Sequence, residues 1–215
     1  MFEFIDYIKN PTVISRSVSN RVNIIILFAI YIFGALFLAM IASVICKIFS
    51  IEHSMHTLSL RLMLIAIFVA PIYEEFLFRL LLRPSTKNYI LFVATVFILT
   101  IISFLYGTII FFSILLGVLL LSLVMYFMGD RSRNYIFNKI NFKYSFYFST
   151  LFFGLMHLSN FTGNAYIISL FAILLVGPQI LLGLILGYIR MRFGLIFSII
   201  FHAVVNLSVL FSLIY

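Results

Sequence analysis

YILFVATVFILTIISFLYGTIIFFSILLGVLLLSLVMYFM, Tyr89 to Met128, is a run of 40 residues without a charged side chain. A helix needs about 20 apolar residues to cross roughly 30 Å of hydrocarbon, so the run is too long for one crossing. Its one break falls near Ser103 to Gly107, and it reads as a tight helical hairpin, the alternatives being one long tilted helix or one span with a re-entrant piece. The same ruler applied outward gives spans at Val22 to Ile45, Leu58 to Leu82, Tyr89 to Phe104, Gly107 to Met128, Tyr144 to Leu158, Tyr166 to Tyr188 and Leu195 to Leu213. The expected fold is an all-α polytopic transmembrane helix bundle of about seven spans, with eight as the other count. Composition agrees, since 65% of the 215 residues are apolar and 9% charged, against roughly a quarter charged in a soluble domain. These values exclude a soluble enzyme and a disordered chain. The single cysteine, Cys46, has no intrachain partner, which excludes a disulfide scaffold and a Cys-based zinc site.

Residues 1–21 precede the first long apolar run and mix charges with aromatics. They read as an interfacial amphipathic segment, with Phe2, Ile5 and Ile8 on the membrane surface and Lys9, Arg16 and Arg21 toward anionic headgroups. Residues 22–215 then form a single transmembrane domain. Positive residues in short loops stay on the cytoplasmic side. With the N-terminus cytoplasmic, seven spans put Lys9, Arg16, Arg21, Arg79, Arg83, Lys87, Arg131, Arg133, Lys139, Lys143, Arg190 and Arg192 inside, and only Lys47 and Arg61 outside. The net charge of +8 therefore reads as the topology signal of a multi-pass cell-membrane protein in contact with anionic lipid, not as a nucleic-acid surface.

Only six residues are acidic, and two of them, Glu74 and Glu75, sit inside the second span with Arg79. A charge near mid-membrane costs about 2.5 kcal/mol or several times that, so three together are a functional signal. Neighbours on a helix point about 100° apart, whereas residues at i and i+4 share a face. Glu75 and Arg79 can therefore pair, and Glu74 is left as a spare carboxylate. Pro71 just upstream can kink the span and free backbone carbonyls, a break tolerated where the chain lines a cavity. His157 closes the fifth span, and His202 and Asn206 share a face of the last. From a rise of 1.5 Å per residue, Glu74 lies about 12 Å and His202 about 10 Å from the inner ends of their spans, so the two can meet, while His157 comes out about 20 Å deep. The bland readings are a structural charge cluster, an ion or proton pathway, and histidines that merely bond between helices. His53 and His56 fall in an outer loop.

Glu74-Glu75-Phe76-Leu77-Phe78-Arg79 (EExxxR), Phe153 to His157 (FxxxH) and His202 to Asn206 (HxxxN), in this order on three helices, resemble the CAAX-protease and bacteriocin-processing family of intramembrane endopeptidases, also called abortive-infection-like. The resemblance spans about residues 58–208, including Pro178 to Gly183 and the Arg190 to Gly194 turn. It implies hydrolysis of a peptide bond without a covalent intermediate, with Glu74 and His157 activating a water, His202 and Asn206 binding the oxyanion, and Glu75 and Arg79 in support. The site is expected to open to the cytoplasmic side. That chemistry suits the residue types: a poorly solvated carboxylate is a better base, and a His and an Asn one turn apart can donate to one developing oxyanion. About 75 residues separate the first two motifs, some 40 more than is common in the family, and the excess matches the 89–128 hairpin.

Family members have been described as metalloproteases, and Glu74, His157 and His202 would be the ligands of a catalytic zinc; a metal-free, glutamate-type mechanism is favoured. The expected partners are membrane lipid and a membrane-associated or lipidated peptide substrate, in a prokaryotic setting, with oligomeric state unknown. The other readings are a non-proteolytic membrane immunity or scaffold protein and a proton-coupled transporter. No inverted repeat supports the transporter, and no structural role requires a spare Glu74. Gly183 and Gly187 read as a small-residue pair for close helix packing.

Overall fold

The apolar run folds back on itself. In a computed structural model, which describes residues 2–14, 22–53 and 60–214, it forms helices Thr86–Leu105 and Ile109–Phe127. Gly107, at φ 68°, makes the turn between them in the left-handed region that glycine enters without cost. In chain order the helices are α1 (Phe2–Lys9), α2 (Val22–Phe49), α3 (Leu60–Leu64), α4 (Ala70–Arg79), α5 (Thr86–Leu105), α6 (Ile109–Phe127), α7 (Gly129–Lys139), α8 (Phe142–Met156), α9 (Ala165–Leu170), α10 (Ala172–Leu175), α11 (Gly177–Arg192) and α12 (Leu195–Ile214). A π-helical turn, Ile65–Val69, joins α3 to α4, and a 3-10 turn, His157–Asn160, follows α8. Strands β1 (Glu52–His53) and β2 (Phe161–Thr162) pair antiparallel, Glu52 opposite Thr162.

The protein is all-α apart from that short ladder. Among the described residues three helices are long and apolar enough to cross a membrane, Ile24–Phe49, Thr86–Leu105 and Ile109–Phe127, and Leu195–Val209 is a shorter apolar helix. The other expected spans differ in form. At 15 and 16 residues, α8 and α11 are shorter than a straight crossing requires. The expected span Tyr166 to Tyr188 is broken into α9, α10 and α11, and at the second break Pro178, near the start of α11, has no N–H to continue a helix from α10. The second span carries the π-helical turn immediately before Pro71; its start at Leu58, like Arg16, Arg21 and His56, lies outside the described residues.

The core forms around α8 and α11, which run antiparallel at close range. A Cβ on Gly154 would come within 2.5 Å of Ile180 Cγ1, one on Gly183 within 3.1 Å of Thr150 Cγ2, and one on Gly187 within 2.6 Å of Phe146 Cε2. Glycine at these three positions is what lets the two helices touch. On the far side of α11, Gly34 of α2 meets Leu181 in the same way. By contrast, α6 presents Ile109, Ile110, Leu121 and Phe127 outward, as a lipid-facing helix should.

The N-terminal helix packs on the bundle through Phe4 and Tyr7, while the side chain of Phe2 lies outside the described residues. Phe4 and Tyr7 are buried, edge-on to Tyr188 of α11, and Tyr7 also meets Phe146 of α8, with Ile8 packed beside them. Glu3 pairs with Arg192 at 2.7 Å, and Arg83 donates to the carbonyls of Ile14 and Met191. Burial raises the Tyr7 phenol well above its usual range, so it stays a donor, to the Thr12 carbonyl at 3.2 Å. Two of the cations assigned to the inner surface, Arg79 and Arg190, are instead enclosed by the bundle, at 0% and 2% exposure.

Candidate active site

Two helices bring the acidic motif and the last histidine together. α4 and α12 run antiparallel, with Asn206 beside the π-helical turn, His202 beside the carboxylates and Ser198 beside Glu75. α8 supplies Phe153 and His157, and α11 backs the cluster with main-chain carbonyls.

Glu75 and Arg79, both fully buried, face each other at 3.8 Å between Oε1 and Nε, an ion pair too long to be a hydrogen bond. Arg79 Nη2 donates to the Gly183 carbonyl at 3.5 Å, and its guanidinium lies 4.5 Å from the centroid of the Phe153 ring. A desolvated contact of that kind contributes about 2 kcal/mol, so the pair and the ring together hold a cation with no exit to water. Arg190 Nε donates to the Arg79 carbonyl at 3.1 Å, which fixes the end of α4. Ser198 Oγ donates to Glu75 Oε2 and lies 3.1 Å from the Leu186 carbonyl.

His202 stands between the two carboxylates. Its Nε2 is 3.6 Å from Glu74 Oε2 and its Nδ1 is 3.4 Å from Glu75 Oε1. Glu74 and Glu75 point different ways from α4, yet both reach this ring, because an imidazole carries its nitrogens on two edges. Glu74 is 15% exposed where Glu75 is sealed.

His157 ends α8 and begins the 3-10 turn. Its Nδ1 is 2.9 Å from the Phe153 carbonyl, a pairing that assigns the hydrogen to Nδ1 and leaves Nε2 as the lone-pair nitrogen. Phe153 stands between the two imidazoles, edge-on to both, its centroid 5.1 Å from His157 and 5.6 Å from His202. Asn206 Nδ2 donates to the Ala66 carbonyl at 2.8 Å. The expected residues thus divide: Glu74, Glu75, Arg79 and His202 form one contact cluster, while His157 and Asn206 flank it with main-chain bonds of their own.

Among the described residues no group of three or more His, Cys, Asp or Glu side chains is disposed to hold a metal ion. Glu74 and His202 approach each other, whereas the Phe153 ring stands between His202 and His157, so as arranged the three do not converge on one ion. Glu74 Oε2, Glu75 Oε1, Arg79 Nε and Nη1, and His202 Nδ1 are all buried without a hydrogen bond, so this one cluster holds idle hydrogen-bonding capacity.

Sequence reading missed Ser198 and the inward turn of Arg190. Ser198 was within reach, because Ser198, His202 and Asn206 recur every four residues and form one polar stripe on an apolar helix. Nothing in the sequence distinguishes Arg190 from a loop cation.

The fold and this cluster define a helical membrane protein with a buried acid–imidazole centre. Residues 131–208 match the family described as type II CAAX prenyl endopeptidase Rce1-like, and this match bears out the CAAX-protease family read from the motifs. It takes in His157, His202 and Asn206 and leaves out Glu74 to Arg79, which the contacts of His202, Ser198 and Arg190 join to it. No curated protein and no solved structure matches the chain.

Proposed function

We propose that the protein is an intramembrane endopeptidase that hydrolyses a peptide bond of a membrane-associated or lipidated peptide, as a glutamate-type enzyme with no metal in its chemistry. The observation that carries this reading is Glu74: a partly exposed carboxylate inside an apolar bundle, facing His202 Nε2 at 3.6 Å, while its neighbour Glu75 is neutralised by Arg79. At such a separation a bridging water is the ordinary link between two polar groups. Glu74, aided by the free Nε2 of His157, takes a proton from that water as its oxygen attacks the scissile carbonyl. His202 and the second Nδ2 hydrogen of Asn206 receive the oxyanion of the tetrahedral intermediate, and the proton then passes to the departing amine as the C–N bond breaks. An oxyanion donor of this kind contributes about 3–4 kcal/mol. Glu75, Arg79 and Ser198 hold His202 in place.

In this reading the chain makes seven crossings with its N-terminus in the cytoplasm, α8 and α11 shortened and α9 and α10 bent at the far side. The substrate reaches the cluster at Glu74, whose side chain is 15% exposed where that of Glu75 is sealed.

The test uses purified protein in lipid vesicles with a fluorogenic peptide carrying a prenylated cysteine and, separately, an unlipidated transmembrane peptide. Glu74→Gln, His157→Ala and His202→Ala each lower hydrolysis by at least about a hundredfold while the protein still melts cooperatively. In parallel, new peptide termini in membranes of cells with wild-type or Glu74→Gln protein are compared by mass spectrometry. Identical sets of termini, together with no hydrolysis of either peptide, would leave the immunity or scaffold reading.

A further inference from the structure

Asn206 is held by a backbone irregularity that Pro71 creates. In the π-helical turn Ile65–Val69, the N–H of Ala70 reaches back five residues to the Ile65 carbonyl and passes over Ala66. The next residue, Pro71, has no N–H to offer. The Ala66 carbonyl is therefore left without a donor from its own helix, within an apolar bundle where an unmade backbone bond is costly. Asn206 Nδ2, from the other side of the α4–α12 contact, takes it at 2.8 Å. π-helical turns inside α-helices are rare and gather at functional sites. This one ends five residues before Glu74 and, through Asn206, ties to the residue one turn beyond His202.

We propose that Pro71 and the Ala66 carbonyl act as a positioning device: by withholding a backbone donor, Pro71 reserves that carbonyl for Asn206, and the bond fixes the carboxamide so that its second Nδ2 hydrogen stays on the His202 face of α12. An Asn on an apolar helix otherwise has rotamers to sample, and a donor that must be found anew in each turnover stabilises an oxyanion poorly. The bond removes that freedom before substrate arrives. The inference rests on the protease reading only for the oxyanion role of Asn206; the Pro71–Ala66–Asn206 linkage stands apart from it.

The linkage is tested on full-length protein in detergent as wild type, Pro71→Ala, Asn206→Ala and the double variant. Alanine at position 71 restores an N–H that can take the Ala66 carbonyl. Asn206→Ala therefore lowers the melting temperature by on the order of 5 °C in the wild-type background, and by less than about half of that in the Pro71→Ala background. In protein labelled with 15N-asparagine, the Asn206 side-chain signal, assigned by its loss in Asn206→Ala, is protected from hydrogen exchange in wild type and loses that protection in Pro71→Ala. Equal melting losses in both backgrounds, or unchanged protection, overturn the linkage. Should Pro71→Ala fail to fold, Pro71→Ser restores the same N–H and serves in its place. On whichever peptide of the vesicle assay is hydrolysed, Pro71→Ala lowers kcat about tenfold or more with KM unchanged. A change in stability without a change in kcat reduces the bond to a structural one and overturns the positioning role. A wild-type chain that hydrolyses nothing sinks the protease reading, and melting and exchange then decide the linkage alone.

Discussion

Glu74 and Glu75 differ by one position and by the company they keep. Helix geometry alone separates them, because only Glu75 has a cation four residues on, and the contacts follow that division. What the geometry did not convey is that His202 reaches both. Removing either member of the Glu75–Arg79 pair leaves the other buried and uncompensated, a loss of about 3–5 kcal/mol. Glu75→Ala and Arg79→Ala should therefore lower the melting temperature and the folded yield, whereas Glu74→Gln, at a partly exposed site, should leave melting nearly unchanged; thermal denaturation in detergent distinguishes the two classes. Ser198→Ala withdraws a donor from a sealed carboxylate and should cost about 1–3 kcal/mol by the same measurement, with Ser198→Thr recovering part of it.

Among the elements, α8 and α11 depend most on side-chain size. Gly187→Ala puts a methyl group against a fully buried Phe146 that has nowhere to move, and should destabilise the protein by about 1–3 kcal/mol. Gly117, on exposed α6, has nothing within 4 Å of a Cβ, so Gly117→Ala should instead stabilise by about 0.5–1 kcal/mol through helix propensity. Melting of the two variants side by side, with opposite signs expected, tests whether these helices face protein and lipid as described. The same contrast explains which elements could be read in advance. Hydropathy measures transfer of side chains out of water, so it locates apolar helices such as α2, α5 and α6 well. It is blind to backbone breaks inside an apolar stretch, and Tyr166 to Tyr188 looked like one span although the chain turns at Phe171 and Val176. The Pro178 that reopens the helix was visible, as was Pro71, but the sequence alone could not say that Pro71 would be preceded by a π-helical turn. α7 escaped for the opposite reason, being helical without being apolar.

For the whole molecule, the distribution of charge runs from one end to the other. α1, Arg83, Arg192 and Glu3 gather where α11 ends, and the β1–β2 ladder closes the end where α2 and α8 finish. In a Cys46→Ser background, cysteines placed at Lys87 and Lys139 should react with a membrane-impermeant maleimide only after intact cells are opened, and one at Lys47 before; the reverse pattern would refute the proposed orientation. Docking of α1 is likewise testable, since Phe4→Ala removes a buried ring and should cost about 3–5 kcal/mol, whereas a helix resting only on lipid would melt as wild type does. The site was legible to the extent that its residues are polar in an apolar setting, and its depth in the bundle was not, because rise along straight helices takes no account of where they begin and how they tilt. The pairing of Glu75 with Arg79 within a single turn also bears on biosynthesis. Ser198 is made 123 residues after Glu75, with the α5–α6 hairpin in between, so α4 must leave the ribosome and meet the bilayer long before α12 exists. A carboxylate that brings its counter-ion on its own helix can wait in lipid for that interval. Glu74 meets the imidazole it faces only when His202 arrives, so the order of synthesis keeps the reactive centre incomplete until the last helix is in place.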